Sequence, residues 1–108
     1  MKNEYFIIIQ GLLLMIVKAE HKANYFRMNN DAIQDPGLSW AARGLLAYFL
    51  SLPPAWELHL RDLFSRSLDG RRRTEAALSE LIKAGYVEKS QGKNYRRDTR
   101  YTVYEDPK

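Results

Sequence analysis

Asp69-Gly70-Arg71-Arg72-Arg73-Thr74-Glu75-Ala76-Ala77-Leu78-Ser79-Glu80-Leu81-Ile82-Lys83-Ala84-Gly85-Tyr86-Val87 is the stretch from which the rest of the chain can be read. Ala77, Leu78, Leu81 and Ile82 recur at helical spacing, with Thr74 a turn ahead of them. They form a stripe that must face a core. Asp69 in front and Gly85 behind are residue types that start and stop helices, which predicts a helix over residues 71–84. Its opposite side shows Arg72, Ala76, Ser79 and Lys83, flanked by Arg71, Arg73, Glu75 and Glu80. Three arginines at a helix start oppose the helix dipole, at about 0.3–1 kcal/mol each. A helix selected for stability alone would carry acids there, so the run asks for a functional reason. A solvated charge run with no partner is the competing reading.

Beyond Gly85 the period changes from helix to strand. Tyr86-Val87-Glu88-Lys89 reads as one strand and Thr99-Arg100-Tyr101-Thr102-Val103-Tyr104 as another, rich in β-branched and aromatic residues. Ser90 to Asp98 between them is polar and turn-like, which predicts a β-hairpin. Upstream, Leu68-Asp69-Gly70 is a tight turn, and Leu60, Leu63 and Phe64 place a helix over about residues 58–67. Before it, Leu45, Leu46, Phe49 and Leu50 continue a helix that Ser39 caps and Leu52-Pro53-Pro54 ends. Asn29 to Gly37 carries turn chemistry, and Tyr25-Phe26-Arg27-Met28 alternates like a short strand that could join the hairpin in a three-stranded sheet. The expected order is strand, helix, helix, turn, helix, strand, strand. That is an α+β fold, mainly α: a winged helix-turn-helix, with a three-helix core, a C-terminal hairpin wing and a short N-terminal strand.

Residues 1–24 do not match this pattern. Tyr5 to Val17 is apolar except for Gln10 and Gly11, too short for a membrane helix of about 20 residues. A secretory signal is disfavoured because Glu4 cancels Lys2 and Lys18 sits inside the only cleavage-like site. The readings left open are an extra strand or helix on the domain, an upstream extension of the reading frame, or a self-association surface. The expected organisation is an apolar extension over 1–24 and one domain over 25–108.

The chain of 108 residues carries 17 Lys and Arg against 13 Asp and Glu, a net charge of +4. Between Arg61 and Arg100 there are eleven basic and six acidic residues, leaving six and seven for the other 68. All the excess positive charge therefore lies in the half that holds the arginine-led helix and the hairpin. This points to a polyanion partner, nucleic acid before anionic membrane, with a solvated surface that happens to be basic as the alternative. A helix entering the major groove needs a basic start and small residues where it presses on the groove floor. Arg71, Arg72, Arg73, Ala76, Ser79 and Lys83 fit that demand. Lys89, Lys93, Asn94, Arg96, Arg97 and Arg100, on or beside the hairpin loop, fit phosphate or minor-groove contact. Charge that guards a sheet edge is the alternative for the hairpin.

Cysteine is absent, which excludes disulfides and thiolate metal sites. His21 and His59 have no ligand spacing, and neither Asp62 with Asp69 nor Glu75 with Glu80 makes a catalytic pair. No catalytic residue, metal or cofactor is assigned, and the chain is not read as an enzyme. Trp40, Tyr48, Phe49 and Trp56 are spaced like core residues, with a stacking platform for single strands as the alternative.

Leu38-Ser39, then Ala42-Arg43-Gly44-Leu45-Leu46-Ala47, then Leu50-Ser51-Leu52-Pro53 also form a recognisable pattern. Trp56, Asp62-Leu63, Gly70-Arg71, Ala77 to Val87 and Tyr101 to Pro107 extend it. Over residues 25–107 this resembles the N-terminal winged-helix part of replication-initiation proteins of the DnaD/RepA type, found in phages, plasmids and other mobile elements. The resemblance implies duplex DNA binding in replication or its control, with Arg71 to Lys83 as the recognition helix. The partners expected are double-stranded DNA and either a second copy or replication proteins, in the cytoplasm and with the nucleoid, without a membrane. A protein-interaction module without direct DNA readout is the alternative function.

Overall fold

The computed structural model describes residues 24–54, 59–90 and 100–107, together with the strands 5–9 and 12–16. Helix formation follows the capping chemistry. Asn29 accepts from the Asp31 N–H and starts a one-turn helix, α1 (Asn30–Ile33), where turn residues alone were expected. Ser39 accepts from the Ala42 N–H at 3.1 Å and opens α2 (Trp40–Ser51). Next comes α3 (Leu60–Leu63), far shorter than the helix expected over 58–67. Ser65 is the reason: its N–H and hydroxyl both bond to the Asp62 carbonyl, and the Arg66 N–H bonds to Leu63, three residues back. A serine competing for the backbone in this way ends a helix. Trp56, expected as a core anchor, lies outside the described residues.

The longest element is α4 (Gly70–Ala84). Asp69 precedes it as expected but makes no side-chain cap. Gly70 instead carries φ +78° and Gly85 closes the helix at φ +94°, left-handed angles that cost a glycine nothing. Val87–Ser90 (β3) and Arg100–Val103 (β4) then pair antiparallel, with Val87 opposite Val103 and Ser90 opposite Arg100. The predicted hairpin is present. The predicted third strand is not: residues 25–29 are irregular, and the sheet has two strands. Asn24 adopts φ +57°, Tyr25 and Phe26 are 53% and 43% exposed, and Met28 packs on the core.

The core joins Ala32 of α1, Leu38 ahead of α2, Ala42 and Leu46 within α2, Ala77, Leu78 and Leu81 of α4, then Tyr86 and Val87. It is an α+β domain in which α2 and α4 pack together beneath the β3–β4 sheet. Trp40 corrects the expectation of a core aromatic, being 82% exposed. Ala42 and Leu46 face inward, and Trp40 sits two residues before Ala42, about 200° round the helix. In the N-terminal segment, Tyr5–Ile9 (β1) pairs antiparallel with Leu12–Ile16 (β2), a two-stranded sheet of its own. Among the described residues no helix is long and apolar enough to cross a membrane.

Candidate nucleic-acid interface

The two sides of α4 separate as its periodicity requires. Thr74, Ala77, Leu78 and Leu81 are buried, and the Thr74 hydroxyl is satisfied by donating to the Gly70 carbonyl at 2.6 Å. Arg71, Arg72, Arg73, Ala76, Ser79 and Lys83 are all exposed. The row Arg72, Ala76, Ser79, Lys83 runs the length of the helix at steps of four, three and four residues, which keeps it on one face.

The cations on this face are not equivalent. Arg71 bonds through Nε to Glu75 at 3.3 Å, and its guanidinium carbon lies 5.5 Å from the centre of the Phe64 ring. Arg72, Arg73 and Lys83 have no ion-pair partner among the described residues. Arg73 also borders a cavity between α2 and α4.

Glu80, placed by its sequence position beside the basic row, is engaged elsewhere. Its carboxylate accepts from the Ser39 N–H at 3.0 Å and from the Ser39 hydroxyl at 2.7 Å. These two bonds hold its pKa below the ordinary 4.5. One acid is thereby fixed at the start of α2. No local signal announces this, since the partner stands 41 residues away.

On the hairpin, only Lys89 and Arg100 among the expected contacts lie within the described residues, and both are exposed. Lys93, Asn94, Arg96 and Arg97 lie outside them. The register places Lys89 opposite Tyr101 and Arg100 opposite Ser90. Side chains alternate along a strand, so Lys89 shares the face of buried Val87, and Arg100 shares the face of Glu88 and Thr102. These two cations leave opposite faces of the sheet. Glu88 accepts from the Tyr104 hydroxyl at 2.9 Å.

No cluster of acidic, histidine or cysteine side chains able to hold a metal occurs among the described residues. Compared with known protein families, curated proteins and solved structures, the chain matches none of them.

Proposed function

We propose that this domain is a winged helix-turn-helix module that binds double-stranded DNA. In this reading α3, the turn through Gly70 and α4 form the helix-turn-helix, and β3–β4 is the wing. The observation that carries it is the exposed face of α4. Arg72, Ala76, Ser79 and Lys83 share one side, and Arg72, Arg73 and Lys83 are not consumed by ion pairs among the described residues. Cations at this helix start cost stability, and a phosphate or guanine partner would offset that cost. The resemblance to replication-initiation proteins of phages and plasmids supports a role in replication or its control, and a transcription regulator uses the same contacts.

The test is fluorescence anisotropy with duplex DNA over a salt series. Neutralising about five phosphates gives a slope of log affinity on log salt of about −4 to −5. A slope near zero, or no binding at low salt, defeats the proposal.

A protein-interaction role has its own support in the N-terminal segment. The paired residues of β1 and β2 are Tyr-Phe-Ile-Ile-Ile and Leu-Leu-Leu-Met-Ile. Every residue of this pairing is apolar, and an isolated two-stranded hairpin is marginal in water. In this reading a second copy covers it. Deleting residues 1–24 then reduces the particle size seen by light scattering, and an unchanged size rejects the dimer. The two roles are compatible, because helix-turn-helix dimers bind paired half-sites.

A further inference from the structure

Trp40, Gly44 and Tyr48 stand at steps of four residues along α2, which places them in one row, with the backbone positions of the two aromatic residues about 12 Å apart along the axis. All three line a cavity of about 310 Å³, at the lower end of the range for small-molecule sites. Leu63 and Ala77 form part of its apolar lining, and Arg66, Arg73 and Asp69 supply its charged groups.

Three observations distinguish this cavity from a packing gap. Gly44 lies inside α2, where glycine costs about 0.5–1 kcal/mol relative to alanine. A Cβ added there would meet nothing within 4 Å. The glycine is therefore not required by close packing, and the surface over it is open. Trp40 is exposed at 82%, which leaves its ring accessible to a ligand. Its ring is also held in position, with the Arg43 guanidinium 4.5 Å from its centre, a cation–π contact. Two guanidinium groups against one carboxylate leave the cavity cationic.

We propose that this cavity is a binding site for a small, flat aromatic carboxylate. Its ring system lies over Gly44 between Trp40 and Tyr48, and its carboxylate pairs with Arg66 and Arg73. The two aromatic side chains bound the ligand's ring system at its two ends and offer it aromatic contact, and a guanidinium fork matches a carboxylate in geometry. The site is separate from the exposed row of α4 and shares only Arg73 with the DNA-binding surface.

The test uses the full chain without DNA, so its outcome is independent of the DNA-binding reading. The ¹⁵N-labelled protein is titrated with 2-naphthoate while the Trp40 indole N–H is followed, assigned by its loss in Trp40→Phe. A saturable shift is expected, with Kd of about 1 mM or tighter for a ligand of this size. Gly44→Leu, which fills the space, and Arg66→Gln, on an exposed residue that leaves α2 untouched, should each weaken Kd at least fivefold. The neutral 2-naphthalenemethanol should bind at least fivefold more weakly than the acid. Absence of a saturable shift overturns the proposal, as does an unchanged Kd in both variants. Tighter binding of 2′-deoxyadenosine monophosphate than of 2-naphthoate would reassign the cavity to a nucleotide and overturn it equally.

Discussion

Arg71 and Arg72 are neighbours with different local environments. The Arg71 guanidinium already holds Glu75 and lies near Phe64, whereas Arg72 projects from the face that also carries Ala76, Ser79 and Lys83. A base contact made by Arg72 is lost outright on truncation, while Arg71 must first exchange one partner for another. Arg72→Ala should therefore cost about 1–3 kcal/mol on a preferred duplex and relax the sequence preference. Arg71→Ala should cost less. Lys93→Ala, at a position proposed to contact phosphate, should weaken all duplexes alike. Anisotropy on a selected duplex and on a scrambled one separates the three, and equal losses for Arg72→Ala on both would remove Arg72 from base readout. The arginine run was legible in the sequence because it contradicts the helix dipole. That Arg71 is the one engaged was not, because Glu75 stands at pairing distance from Arg71 and Arg72 alike along a helix.

At the scale of the element, α2 shows what a cap can do beyond its own helix. Ser39 accepts from Ala42 and donates to Glu80, joining the start of α2 to the C-terminal half of α4. Ser39→Ala should destabilise the domain by about 0.5–2 kcal/mol in urea unfolding. Adding Glu80→Gln to Ser39→Ala should then cost less than Glu80→Gln does alone, because the two side chains act as one unit. Full additivity would show that they do not. The depressed pKa of Glu80 has a definite sign. Its contribution is present above the unfolded value and is lost as pH falls through the folded one, so it adds to acid unfolding. Ser39 as a cap was readable from its position before an apolar run. The shortness of α3 was not, since serines at 65 and 67 are compatible with a helix until the Ser65 hydroxyl donates to the Asp62 carbonyl and the Ser67 hydroxyl accepts from the Asp69 N–H.

Across the whole molecule, distant segments are tied at the sheet end of the core. The Tyr86 hydroxyl donates to Asp35 at 2.9 Å, the Tyr104 N–H to the Tyr86 carbonyl at 2.8 Å, and the Asn29 amide to Asp106 at 2.8 Å. Burial first, and then the Asp35 carboxylate, push the Tyr86 pKa from 10.0 up to about 12. A value raised in the folded state means stability is complete below the unfolded pKa and is lost as pH rises through the folded one. Stability should accordingly fall between about pH 10 and 12. Tyr86→Phe should lower stability near neutrality by about 1 kcal/mol and shrink that alkaline step, leaving the part due to Tyr104, whose pKa its hydrogen bond to Glu88 also raises. Thermal melts of both proteins from pH 8 upward check this, and an alkaline step of unchanged size in Tyr86→Phe would place its origin elsewhere.

The sequence alone determined the inner and outer sides of α4, the caps at Ser39 and Gly85, and the pairing of the C-terminal hairpin. Each depends on a local period or on one residue's backbone preference, which a short stretch carries within itself. Tertiary structure decided that Trp40 is exposed, that Tyr25 to Met28 form no strand, and that Glu80 belongs to the start of α2. It also decided that Lys89 and Arg100 part to opposite faces and that Gly44 opens onto a cavity. These depend on which surfaces meet and on the register in which strands pair. Such relations join residues tens of positions apart, and no local pattern encodes them.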